Sequence, residues 1–125
     1  MPERLKHTAW TDIPPEQLNP LLSRQFVHGD QAMLSRIQLQ KGCIVPRHSH
    51  PNEQIVFILS GVLRFTVGEE GAEQQVYDVH GGETLVIPGN VPHMAEALED
   101  TDNLDIFAPP RHDWITGNDA YLRSK

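Results

Sequence analysis

The chain has a single cysteine, no apolar run of membrane-spanning length and no block of basic residues, and each shortage closes off a class of protein. A lone Cys43 cannot close an internal disulfide, so stability must come from a packed core, and a reducing compartment is expected. Cys43 itself reads as packing. Without about 20 consecutive apolar residues there is no candidate transmembrane helix, and Met1 to His7 lacks the apolar segment of a signal peptide, so a cytoplasmic location is expected. Ten Lys and Arg against seventeen Asp and Glu give a net charge of −7. That balance repels nucleic acid and anionic lipid, and neither is expected as a partner. An anionic small substrate stays open, provided a buried cation and a few arginines supply a local positive field.

What is present is punctuation. Ten prolines and nine glycines fall mostly between short apolar runs, a pattern of many strands joined by turns. Strands are expected at about 21–28, 32–40, 44–50, 54–59, 62–68, 74–79, 84–88, 91–98 and 103–108. Met33, Ser35, Ile37 and Leu39 alternate with Leu34, Arg36, Gln38 and Gln40, the period of a half-buried strand. Ser60-Gly61 is read as a tight hairpin, Gly68 to Gly71 as the next, and His80-Gly81-Gly82 as a further turn. The helical candidates are Pro14 to Leu18 and a loose turn or helix over Trp114 to Lys125. At 125 residues the chain is long enough for one all-β domain without staples.

The chemistry-bearing feature is His48-Ser49-His50, with a third histidine in Gly82-x5-Pro88-x4-His93. Side chains on a strand alternate, so histidines at i and i+2 share a face, where one cation can take both imidazoles. His7, His28, His80 and His112 have no ligand spacing and read as surface or turn residues.

Gly42-x5-His48-x-His50-x3-Gln54-x6-Gly61 and Gly82-x5-Pro88-x4-His93 resemble the two motifs of the cupin superfamily, across residues 42 to 97. The resemblance implies an all-β double-stranded β-helix (jelly-roll) barrel holding a metal inside its mouth. The domain would span 1–125, with a core at about 32–108, an N-terminal strand arm and a C-terminal tail. Asn90 stands where the family usually has glycine and is the non-glycine residue most tolerant of left-handed φ. Ala97 replaces the usual asparagine. Gln54 stands where the family usually places glutamate, and Glu53 is the rival. Counting back from Gly61 selects Gln54, as does the alternation that puts Glu53 on the other face from Gln54, Val56 and Ile58. Three neutral imidazoles and an amide oxygen leave a divalent ion its full charge, which suits Lewis-acid work better than redox chemistry.

A narrower resemblance joins His48 through Gln54 to the run Leu104 through Trp114, which is similar to the KdgF pectin-degradation cupins. That family opens the ring of 4,5-unsaturated uronates to linear 4-deoxy-5-keto uronates. Its metal ligands map onto His48, His50, Gln54 and His93, and its Asp-x-Phe-x3-Arg pattern onto Asp105, Phe107 and Arg111 as catalytic residues. From the residues alone, Asp105 and Phe107 share one strand face and Leu104 and Ile106 the other. Hydrophobicity does not choose which faces inward; the resemblance selects the Asp105 side. Arg111, after two prolines, is placed at the mouth as a bidentate partner for a substrate carboxylate.

The resemblance therefore implies a metal-dependent, non-redox ring-opening enzyme. Its cofactor would be one divalent transition metal (Ni, Zn, Mn or Fe), its partner a small anionic sugar acid, and its assembly a homodimer paired through N-terminal strands. The alternatives are a cupin dioxygenase and a non-catalytic module that binds a sugar acid. Arg36, Arg47 and Arg64 are unranked candidates for the mouth, and Trp10 and Trp114 are expected to anchor the terminal segments.

Overall fold

The computed structural model describes residues 5–123. Within them the inward residues of successive strands face one another across two antiparallel sheets. In chain order the strands are β1 (Glu16–Asn19), β2 (Leu22–His28), β3 (Met33–Leu39), β4 (Ile44–His48), β5 (Glu53–Ser60), β6 (Val62–Val67), β7 (Gln75–His80), β8 (Thr84–Ile87), β9 (His93–Ala97) and β10 (Thr101–Ala108). One sheet runs β1-β2-β3-β10-β5-β8 and the other β4-β9-β6-β7. This is the jelly-roll architecture expected. Among the described residues no helix is long and apolar enough to cross a membrane.

The core follows from period-two alternation. Met33, Ile37 and Leu39 of β3 are buried, as are Val56 and Ile58 of β5, Leu63 and Phe65 of β6, and Phe107 of β10. The inward face is not uniformly apolar. Ser35, Gln54, Asn103, Asp105 and His93 also point inside and are buried, and the registers interleave them with apolar residues, Asn103 lying opposite Ile37 and Ile58 and Gln54 opposite Phe107.

The nine expected strands all form; three expectations about what lies between and beside them are corrected. Pro14 to Leu18 is not helical. Glu16–Asn19 is strand β1, paired with β2 through Glu16 and Arg24, because Leu18 has a core to enter and two preceding prolines favour extended backbone. Ser60-Gly61 is not a hairpin. β5 and β6 lie in different sheets, and Gly61, at φ 95°, turns the chain from one to the other. His50 lies just past the end of β4, so the histidine pair does not sit on one continuous strand. The tail forms a short helix α1 (His112–Ile115) and a 3-10 turn at Ala120–Leu122; Ser124 and Lys125 fall outside the described residues.

Gly61 is required twice over. Its φ is left-handed, and a Cβ there would lie 2.5 Å from Thr101 Oγ1 and 2.7 Å from Thr101 Cα, as well as against the Asp100 carbonyl oxygen. Gly61→Ala is expected to lower unfolding free energy by about 2 kcal/mol or more, since the left-handed penalty of ~1–2 kcal/mol adds to the clash. Urea denaturation with an unchanged midpoint would contradict this account.

Candidate metal centre and its polar surroundings

His48 and His93 are direct cross-strand partners on β4 and β9, an arrangement that brings facing side chains together. The register between Val45 and His48 is irregular, and Pro46 sits there, on an edge strand where a missing N–H is tolerated. His50 enters from the connection to β5, which is pinned by hydrogen bonds from Asn90 N to His50 O (2.7 Å) and from Asn52 Nδ2 to Pro109 O (2.6 Å). Asn90 makes its turn at φ 66°, as its side chain permits. The ring centroids of His48 and His93 lie 4.4 Å apart, and those of His50 and His93 5.1 Å apart.

The imidazoles are oriented alike. The Nδ1 of His48 lies 2.7 Å from Pro46 O, that of His50 3.1 Å from Asn52 O, and that of His93 2.8 Å from Val91 O. Donation from Nδ1–H to a carbonyl leaves each Nε2 as a free lone pair, the arrangement that prepares an imidazole for a metal. His93 Nε2 is buried with no partner. The three rings can bring donor atoms within 4.8 Å of one another. Burial, followed by the charge of His93, lowers the His48 pKa to about 3. Burial, then Arg111, lowers that of His50 to about 4, and burial with Arg111 lowers that of His93. All three rings are therefore neutral at neutral pH, ready to act as ligands, and the group could hold a metal ion.

Gln54 faces them from the other sheet. Its Oε1 lies 3.1 Å from His50 Nε2, its Nε2 donates to Asp105 Oδ1 at 3.0 Å, and Glu53 points outward, exposed. With His50 Nδ1 protonated, Nε2 and Oε1 are two acceptors face to face, and a cation between them is what such a contact suits. Turning the amide over would set Oε1 against Asp105 Oδ1 and would need a proton on that carboxyl.

Asp105 is 3% exposed and lies inside the barrel, with Phe107, as the resemblance implied. Gln54 is the strand neighbour of Phe107, hence a diagonal neighbour of Asp105 and within reach of it. Asn103 donates to the other oxygen, Oδ2, at 2.9 Å. Burial raises the Asp105 pKa to about 6, against the opposing pull of Gln54, Asn103 and Arg111. Phe107 forms an apolar wall, 5.6 Å from the His50 ring.

Arg111 departs from expectation in one respect. Its guanidinium is 2% exposed and its fork is already occupied, with Nε and Nη2 donating to the two oxygens of Asp113 at 3.0 and 2.7 Å. Nη2 also donates to Tyr121 Oη at 2.7 Å. Burial works against the charge of Arg111, but these partners outweigh it and the pKa is raised.

The other arginine candidates are engaged away from the site. Arg36 pairs with Asp102, Arg47 donates to Gly68 O, and Arg64 pairs with Asp78. His7, His28, His80 and His112 do not join the cluster. Sequence reasoning missed Asn103, Arg24 and Tyr121. Asn103 was legible, two residues before Asp105 on the same strand face. Arg24 and Tyr121 had no local signal, because they meet the site only through the folding of the tail. Trp114 does anchor that tail, buried against Phe107 at 5.1 Å between ring centroids.

Barrel, imidazole cluster and inward carboxyl together define a small β-barrel whose mouth could hold a metal ion. A cupin domain model matches residues 35–107, more than half of the chain, and the chain belongs to the cupin family. No curated protein matches it. Among solved structures it is similar to KdgF from Halomonas sp., at 25% identity and a TM-score of 0.72, covering 85% of this chain and 96% of that one. An RmlC-like cupin from Shewanella frigidimarina matches with 22% identity and a TM-score of 0.75, covering 86% of this chain and 93% of its own. An oxalate decarboxylase variant from Bacillus subtilis is 20% identical, with a TM-score of 0.73, covering 82% of this chain but 29% of the decarboxylase.

The shifted imidazoles make the metal-free protein acid-sensitive. Above the ordinary histidine value of 6.5 both folded and unfolded rings are neutral. Below it the unfolded chain takes up protons that the folded rings refuse, so stability is lost as pH falls toward about 4 for His50 and about 3 for His48. Asp105 acts in the opposite direction between its folded value of about 6 and the ordinary 3.8, where only the folded state binds its proton. Three rings outweigh one carboxyl. The urea midpoint of metal-stripped protein should fall between about pH 7 and about pH 5, and a midpoint that rises over that interval would contradict the assigned ring states.

Proposed function

We propose that this protein opens the ring of monomeric 4,5-unsaturated uronates. His48, His50, Gln54 and His93 would hold one divalent metal (Ni, Zn, Mn or Fe), and Asp105, Phe107 and Arg111 would face the substrate. The observation that supports this most is the placement of a buried carboxyl, Asp105, one amide away from three clustered imidazoles; burial raises its pKa to about 6. The similarity to a KdgF structure along 85% of the chain agrees with it.

A divalent ion bound to these ligands supplies Lewis acidity to a substrate carboxylate and ring oxygen. The remaining work falls to side chains. Asp105 takes the proton of the anomeric hydroxyl; the C1–O bond of the ring breaks as the C1 carbonyl forms, and the electron pair stays on the former ring oxygen as an enolate. Asp105 then returns its proton to C4, which gives the 4-deoxy-5-keto product with no change of oxidation state. A carboxyl that titrates at about 6 can do both near neutral pH. The amides of Gln54 and Asn103 hold its two oxygens in place without competing for the proton, and Phe107 keeps water from that side.

Mixing metal-loaded protein with unsaturated galacturonate should remove the ultraviolet absorbance of the C4–C5 double bond, without oxygen. Asp105→Asn should keep metal and fold while lowering turnover by roughly 10²–10⁴, and His93→Ala should abolish metal uptake, read by plasma emission. A reaction that stops under anaerobic conditions would make the protein a dioxygenase, and binding without turnover would make it a sugar-acid binding module.

We further propose a homodimer, by a different surface from the N-terminal edge. β1 is four residues long and its apolar residue, Leu18, is buried. The outer face of the larger sheet instead carries Val27, Leu34, Ile106, Ile55 and Val86 as successive cross-strand neighbours, with Ile106 43% and Val86 54% exposed. A continuous apolar row of this kind favours a self-complementary two-fold contact. Light scattering should give twice the chain mass, and Ile106→Glu should halve it; a wild-type monomer at micromolar concentration would overturn the proposal.

A further inference from the structure

The space beside the histidines is small. The cavity lined by His48, Gln54, His93, Asp105 and Arg111 measures about 50 Å³, room for an ion and a water or two, whereas small-molecule sites run to about 300–1,000 Å³. What fills the rest of the mouth is the chain's own tail. Trp114, Tyr121 and Leu122 line the same cavity, and the Tyr121 ring lies 4.7 Å from that of His48.

The tail is tied to the barrel by a buried ion pair at its far end and by the Trp114 ring at its near end. Its far end is held by Asp119, fully buried, which pairs with Arg24 at 2.8 Å and Arg123 at 3.1 Å, and by Asn19 Nδ2, which donates to Leu122 O at 2.9 Å. At the near end Asp113 fills the fork of Arg111. The Trp114 ring lies between the two guanidinium groups, 4.6 Å from Arg24 and 4.5 Å from Arg111. Between these fastenings, Thr116 to Asn118 is exposed and includes Gly117 at φ 79°.

We propose that residues 112–122 form a lid, closed in this conformation, that opens to admit a carboxylate ligand, whose carboxylate replaces that of Asp113 on Arg111. Such a seal can part. Buried ion pairs add little net stability, because hydration recovered on exposure offsets the lost attraction when both partners reach water together. The apolar part of the seal is Trp114, Tyr121 and Leu122. Closed, the lid covers part of the histidine cluster, of which His48 stays half-buried; open, it frees a planar two-bond donor next to the candidate metal ligands. The identity of the ligand as a uronate rests on the function proposed above, but the lid itself does not.

The test begins with unmodified, metal-loaded protein. Hydrogen exchange under native conditions should show amides of residues 112–122 exchanging at least about tenfold faster than those of β3, β5 and β10, through local opening. Exchange of the lid at the rate of those strands would overturn the proposal, since the segment would then open only with the whole barrel. The exchange of carboxylates is read separately with galacturonate, a saturated probe that cannot react. In a Trp10→Phe background Trp114 is the sole tryptophan, and added galacturonate should make its fluorescence more accessible to acrylamide. Asp113→Asn, which removes the internal competitor, should lower the galacturonate concentration needed by about three- to tenfold. No tightening in Asp113→Asn would overturn the replacement on Arg111. Fast local exchange in a protein that turns over no uronate would retain the lid and reject only the reaction.

Discussion

The constraint on which the site depends is that a polar group placed inside a small barrel must find a partner there. Desolvating a hydroxyl, amide or carboxyl without one costs several kcal/mol, comparable with the stability of a domain this size. The barrel meets that constraint in part with a chain of hydrogen bonds from Asn103 to Asp105 to Gln54, and the Gln54 amide oxygen then faces His50 Nε2 as a second acceptor. Each member has one neighbour to position it and one to position in turn, so the carboxyl, the amide and the ring have little freedom apart from one another. The exceptions are informative. Among the described residues the buried side-chain atoms without a partner are Nε and Nη1 of Arg24, Ser35 Oγ, Arg47 Nε, His93 Nε2 and Asn103 Oδ1; of these, His93 and Asn103 line the cavity, where an ion or ligand can satisfy them.

The same constraint explains the distribution of charge. The surface is acidic, yet the interior of the mouth carries Arg24 and Arg111, each nearly inaccessible. Both are matched by carboxylates from the tail, Asp119 and Asp113, and both lie over the ring of Trp114. The tail is thus the counter-charge of the barrel as well as its cover. A conformation that lifts it away needs another anion for Arg111, and that requirement links the opening of the mouth to the chemistry of what enters.

The two sheets divide the labour. The smaller sheet presents His48 and His93 as a cross-strand pair, while the larger presents Gln54, Asp105 and Phe107 on adjacent strands. Imidazoles thus approach the cavity from one side and the carboxyl from the other, with His50 in the connection between sheets. A donor set spread over both layers is held by the core that joins them, so the spacing of the site inherits the rigidity of Val56, Ile58, Leu63 and Phe65 packed beneath it.

The amino-acid sequence by itself indicated nine of the ten strands described and the three histidines, and the resemblance, through the distance from Gly61, favoured Gln54 over Glu53. The strands follow from period-two alternation, a property of short runs of chain, whereas the histidines come together across β4 and β9 and from the connection after β4. The sequence also showed that Asp105 and Phe107 share a face, and by the same rule Asn103 could have been added to them. Which face turned inward was not decided by hydrophobicity along the strand, since Leu104 and Ile106 are the more apolar pair. Pairing of β10 between β3 and β5 decided it, by setting Asp105 beside Gln54. Tertiary structure alone decided that Ser60-Gly61 changes sheets and that the tail packs over the mouth against Arg24. Those contacts join residues up to about a hundred positions apart, as Asn19 and Leu122 are, and no local pattern encodes a partner at that distance.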